Sequence, residues 1–123
     1  MRLDHAIWAT RDLDAAAARF EREYGLAAAG GGRHEGMGTH NRIVPLGRGY
    51  LELLAIADAD EAAASPLGRF VDTAIEGWMG WAVVVDDVDA VASRLGTDMA
   101  VIARAGFTAR LTGVVERDRK SVV

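Results

Sequence analysis

The chain repeats one pattern. Residues 5–20 read HAIWATRDLDAAAARF and residues 81–95 read WAVVVDDVDAVASRL. With one residue skipped at Arg11, His5 aligns with Trp81, Ala6 with Ala82, Ile7 with Val83, Asp12 with Asp87, Asp14 with Asp89, Ala15 with Ala90, Ala17 with Ala92 and Arg19 with Arg94. Each copy is an apolar strand, an acidic helix cap and a short Ala-rich helix. A repeat of this length implies two copies of one supersecondary unit that bury their apolar faces together. The copies differ where a site would sit: the first opens with a histidine, the second with a tryptophan.

The apolar runs fill out the unit. Arg2 to Thr10 reads as a strand. Asp12 is a good N-cap with Asp14 in the first turn, and Gly25 ends the helix. Leu26 to Arg33 reads as a weak strand because Ala and Gly have poor strand propensity. Met37–Leu46 and Tyr50–Ile56 read as a hairpin around Gly47-Arg48-Gly49. The connector, about residues 58–77, carries one short helix with Pro66 at its first position. Trp78–Val85, Val88–Leu95, Asp98–Arg104 and Thr108–Glu116 read as strand, helix, strand, strand. The fold class is therefore α+β: paired βαβββ modules forming a cup, the second shortened or truncated. Module one covers about 2–57 and module two about 78–123, within a single domain of residues 1–123.

Strand parity ranks the polar residues. In YLELLAI, Leu51, Leu53 and Ala55 are the purely apolar set and should pack on the helix, which leaves Glu52 on the open face. A carboxylate in so apolar a strand needs a partner or a functional reason. That partner can be structural, an ion pair with Arg42 or Arg48. His5 shares a face with Ile7 and Ala9. A two-residue hairpin turn places Asn41 beside Glu52, whereas a three-residue turn places His40 there. Trp81, by the repeat, points into the cup and walls it for an apolar or aromatic ligand. Trp8 should lie under the first helix. His34, in GGGRHEGMG, reads as exposed. The run Gly30-Gly31-Gly32 opens no helix and is no phosphate loop.

Several classes of function are disfavoured. The chain has no cysteine, so disulfide and thiolate chemistry are absent. Its net charge of −4, with scattered basic residues, does not make a nucleic-acid face. There is no apolar run of membrane-spanning length and no signal-peptide pattern, so a cytoplasmic protein with neither membrane nor nucleic-acid partner is expected. No serine sits in a nucleophile elbow.

The segments LDHAIWATRDLDAAAARFEREYGL and GTHNRIVPLGRGYLELLAI resemble the glyoxalase-like members of the vicinal oxygen chelate (glyoxalase, bleomycin resistance, dioxygenase) superfamily. The resemblance covers residues 2–57, and 79–96 through the repeat. It implies a divalent metal held by one residue from the first strand and one from the last strand of each module, here His5 and Glu52. An imidazole with a carboxylate suits Fe, Mn, Ni or Zn. It also places GTHN near the ligand. Module two departs from the pattern. Trp81 binds no metal, and a spacing equal to that from His5 to Glu52 runs past Val123. Glu116 substitutes only in a module shortened by about a dozen residues.

Three functions stand. The first is a small-molecule-binding protein with a degenerate metal site, its pocket made by His5, Asn41, Glu52, Trp81 and His40. The second is a divalent-metal-dependent lyase, isomerase or dioxygenase acting on a substrate with vicinal oxygens, with Glu52 as its reactive residue if any. The third is a structural dimer module. A homodimer is expected in each case, because an unfinished second module leaves an open strand edge.

Overall fold

A computed structural model describes residues 1–96, and as backbone alone the strands at 99–104 and 107–112. The elements run β1 (Arg2–Ala9), α1 (Leu13–Tyr24), β2 (Gly31–His34), β3 (Thr39–Pro45), β4 (Tyr50–Ile56), α2 (Ala59–Ala63), α3 (Pro66–Asp72), β5 (Gly77–Val84), α4 (Val88–Leu95), β6 (Met99–Arg104) and β7 (Phe107–Thr112). The first five strands form one sheet in the order β2-β3-β4-β1-β5, and β6 pairs with β7.

Helix α1 begins where the Asp12 carboxylate accepts the Ala15 N–H at 3.0 Å. It ends at Gly25, whose φ of 67° is left-handed. Leu13, Ala16, Ala17 and Phe20 are its buried stripe, at the spacing of one helix face. They pack on Val44, Leu51, Leu53 and Ala55, with Trp8 at the margin. The Trp8 ring meets Phe20 edge-on at 5.3 Å, so Trp8 lies under α1 as its parity requires. Burial of these leucines and of Phe20 is the main stabilising term, each worth about 1.5–3 kcal/mol.

Strand β1 lies parallel to β4, with His5 opposite Tyr50 and Ile7 opposite Glu52. Strand β3 runs antiparallel to β4, with Asn41 opposite Leu54 and Ile43 opposite Glu52. The hairpin closes through the Leu46 N–H to Gly49 carbonyl bond, leaving Gly47 and Arg48 as a two-residue turn. That turn length sets the parity of all of β3. The connector holds two helices rather than one. Asp58 caps α2, and Ser65 caps α3 ahead of Pro66. Phe70 and Val71 of α3 are buried outside the α1 cluster, and α3 packs on β4. The far end of the open sheet face is thus covered, which explains why Leu54, on that face, is as buried as Leu53.

Strand β2 is shorter than its apolar run suggests. Residues Leu26–Gly30 stay irregular, although Ala29 N–H still donates to the Ile43 carbonyl. The β2–β3 turn is clamped to α2. Glu61 accepts the Gly38 N–H at 3.1 Å and the Arg33 guanidinium at 2.8 Å. Those two donors, the Gly38 N–H first, hold the Glu61 carboxyl below its ordinary range.

Candidate functional site

The open face of module one gathers its polar residues in one row of strands. The His5 Nε2 lies 3.4 Å from Glu52 Oε2, and its Nδ1 lies 2.9 Å from Asp4 Oδ2. The His5 ring stacks on Tyr50 at 4.5 Å with an 11° tilt. Glu52 Oε1 accepts a hydrogen bond from Asn41 Nδ2 at 2.7 Å. The same amide nitrogen lies 3.1 Å from His34 Nε2. His34 Nδ1 sits 2.9 Å from Thr39 Oγ1. Glu52 is only 9% exposed. A carboxylate that buried needs a polar partner: Asn41 supplies a hydrogen bond to Oε1, and the His5 imidazole stands 3.4 Å from Oε2.

His5, Asn41 and Glu52 therefore meet. Arg42, one structural alternative for Glu52, points to the other face and binds Asp14 at 3.1 Å. Two further expectations are corrected. His40 stands opposite Ala55, a residue of the α1 core, so it lies on the helix side and does not reach the cup. The two-residue turn is the reason. Trp81 also misses the cup. Strands β1 and β5 run antiparallel with His5 opposite Ala82, Ala6 opposite Trp81 and Ile7 opposite Gly80. Directly opposed residues share a face, so Trp81 lies with Ala6 on the helix side, 52% exposed. The helix caps Asp12 and Asp87 and the eight-residue strands β1 and β5 superpose without the skip at Arg11. Gly80, not Trp81, then matches His5.

His34 was read as exposed, yet it is buried inside the polar network. Counting parity back through the β2–β3 hairpin finds it, since His34 pairs with Thr39 and Gly32 with Asn41. Its glycine-rich surroundings hide it. The shallow depression lined by Arg11, Asp14, Gly31 and Arg42 opens by the N-terminus of α1, away from His5.

Two ligands of a tetrahedral ion with bonds of about 2.1 Å stand about 3.4 Å apart, so the His5 and Glu52 atoms fit one edge. Gly80 offers no third donor, and among the described residues no group of three His, Asp or Glu side chains is placed to hold an ion. Glu116 lies outside the described residues. The described donors do not close a metal site.

A mixed sheet built from a βαβββ unit, carrying a polar cluster on its open face, defines the glyoxalase-like fold of the vicinal oxygen chelate superfamily. The chain belongs to the glyoxalase-like domain family, whose profile matches residues 3–122. Several solved structures share the fold. A variant of Streptomyces coelicolor methylmalonyl-CoA epimerase in complex with 2-nitronate-propionyl-CoA is 26% identical, with a TM-score of 0.68, over 91% of this chain and 85% of that one. A methylmalonyl-CoA epimerase in complex with methylmalonyl-CoA and NH4+ is 26% identical, with a TM-score of 0.67, over 90% and 82%. The Mycobacterium tuberculosis methylmalonyl-CoA epimerase is 22% identical, with a TM-score of 0.70, over 95% and 81%. A comparison with curated protein sequences found no match. No helix among the described residues is long and apolar enough to cross a membrane.

Proposed function

We propose that this chain is a small-molecule-binding protein of the cytoplasm, with one cup-shaped domain whose ligand is held directly by His5 and Glu52. The observation that carries this reading is Glu52 itself. It is buried in an apolar strand, fixed through Oε1 by Asn41, and turned through Oε2 toward His5. Beside this polar half, Gly80 and Ala82 of β5 share the face of Ile7 and His5 and leave room for a ligand. The two epimerases that are 26% identical are complexes with coenzyme A esters, which makes methylmalonyl-CoA the first probe. An isomerase acting on such an ester is the second reading, favoured by the same two relatives, which are epimerases; its dependence on a metal is what the resemblance of His5 and Glu52 to the family's ligand positions implies.

Metal analysis combined with calorimetry separates the two. The binder reading expects no stoichiometric Fe, Mn, Ni or Zn after supplementation. It also expects probe binding that weakens about 10- to 100-fold in Glu52→Gln, the loss of one charge-assisted bond. About one equivalent of metal per chain, lost in both His5→Ala and Glu52→Ala, together with epimerisation of the probe, supports the isomerase instead. Neither metal nor probe binding leaves the structural dimer module.

We propose in addition that the chain pairs with a second copy. Among the described residues β5 is an outer strand of its sheet, and Trp78, Trp81 and Val84 are exposed on it. An open edge beside apolar surface favours association. The sequence supplies further apolar residues for such an interface, Val101, Ile102, Phe107, Leu111, Val114 and Val115, whose side chains lie outside the described residues. Sedimentation at micromolar concentration should show a dimer. A monomer whose sedimentation is independent of concentration overturns this.

A further inference from the structure

We infer that His34 is a positioning residue of the cup: as a neutral imidazole protonated on Nδ1, it orients Asn41 so that Asn41 aims the Glu52 carboxylate at His5. The inference rests on the reading of Glu52 as the ligand-holding group, and it names a residue outside the expected ligand set.

Asn41 Oδ1 accepts the Gly32 N–H at 2.9 Å. That bond fixes which end of the amide is oxygen, and the 2.7 Å contact with a carboxylate oxygen requires the same assignment. The Asn41 nitrogen therefore faces both Glu52 Oε1 and His34 Nε2, the latter at 3.1 Å. An amide NH2 has two protons and no lone pair to offer, so it can only donate. His34 Nε2 must then be the acceptor. A neutral imidazole with an accepting Nε2 carries its proton on Nδ1. Nδ1 lies 2.9 Å from Thr39 Oγ1, which is fully buried and accepts that proton.

Asn41 is thus held at three points, and both of its protons are committed. Glu52 Oε1 is occupied, and rotation of the carboxylate would break its shortest bond. Oε2 is left as the oxygen that faces His5 Nε2. His5 differs from His34 in kind. Its two nitrogens each face a carboxylate oxygen, Nδ1 that of Asp4 at 2.9 Å and Nε2 that of Glu52 at 3.4 Å. Two histidines flank one carboxylate: His34 through the Asn41 amide, with its Nε2 3.8 Å from Oε1, and His5 with its Nε2 3.4 Å from Oε2.

Protein with 15N-labelled histidine, observed by long-range proton–nitrogen correlation at neutral pH, tests the assignment. His34 is identified by its loss in His34→Gln. It should appear as the neutral Nδ1-protonated form. An Nε2-protonated or doubly protonated His34 overturns the proposal. The positioning role is tested at a distance. In His34→Leu the His5 ring resonances should move, and in His34→Gln, whose side-chain oxygen can accept from Asn41, they should return toward their original positions. Affinity for methylmalonyl-CoA should follow the same order, with a loss of about tenfold in His34→Leu. Unmoved His5 resonances in a folded His34→Leu overturn the proposal. If that variant does not fold, Asn41→Ala removes the link between His34 and Glu52 and should itself move the His5 ring resonances, and unmoved resonances there are equally fatal. Absence of probe binding in the parent protein counts against the ligand reading alone, because the tautomer and the His5 resonances are read without ligand.

Discussion

Gly38→Ala should lower stability by about 2–5 kcal/mol, the sum of a left-handed backbone penalty and an overpacked contact. Gly38 has φ +69°, and a Cβ there would lie 2.5 Å from the Asp58 carbonyl oxygen and 2.6 Å from the Ala62 Cα, both backbone atoms of the α2 region. Neither yields without moving the helix. The same residue accepts the Ala57 and Asp58 N–H groups and donates to Glu61, so the β2–β3 turn loses its clamp as well. Gly36→Ala is the control. Its φ is +78° but nothing lies within 4 Å of the added carbon, and only the backbone penalty of about 1 kcal/mol remains. Urea denaturation of the two variants should give well-separated midpoints. Coincident midpoints would mean that the turn does not pack on α2 as described. Because His34 and Thr39 flank this turn, Gly38→Ala should also weaken ligand binding in the fraction that stays folded.

Leu53→Ala should cost a similar amount, about 2–5 kcal/mol, for a different reason. Leu53 is 0% exposed, central in the sheet and packed under α1 with Leu51 and Phe20. Removing its isobutyl group leaves a cavity that the helix and two neighbouring strands cannot both close. Leu53→Met keeps the volume and should cost less than about 1.5 kcal/mol. Leu53 and Glu52 point to opposite faces, so the folded fraction of Leu53→Ala should keep its ligand affinity. A drop in affinity equal to that of a Glu52 variant would show that the two faces are not independent.

The elements that could be read from the chain are those with local chemical signals. Asp12 with Gly25, and Asp87 with Gly96, bracket α1 and α4 to the residue, since caps are set by bonds within a few residues. YLELLAI is a strand by period and length, and its parity alone puts Glu52 opposite the helix face. What could not be read depends on a neighbour. Strand β2, with its glycines, has no pattern of its own and is organised by pairing with β3. His34 inherits its burial from that pairing. The His40-or-Asn41 alternative turned on the length of a turn that the strands themselves do not encode. Trp81 falls on the helix side because the two copies align cap to cap and not by residue likeness within the strands. Cap-to-cap distance is the better ruler, since a cap marks a fixed point of backbone geometry and a similar side chain does not.

The antiparallel pair β1–β5 breaks step twice, once at Asp4 on one strand and once at Met79 on the other. The second break decides what the ligand meets. Trp78 stands opposite Trp8 on the helix side, where the two rings meet edge-on at 5.1 Å. In an unbroken register Met79 would face Trp8, and Trp78 would turn onto the face of Gly80 and Ala82. The room in the cup is therefore encoded in strand length as well as in the small side chains of Gly80 and Ala82. A register reset by a single inserted or deleted codon would push an indole into that room. Relatives that differ in length between β5 and its helix should accordingly differ in ligand size far more than their overall identity suggests.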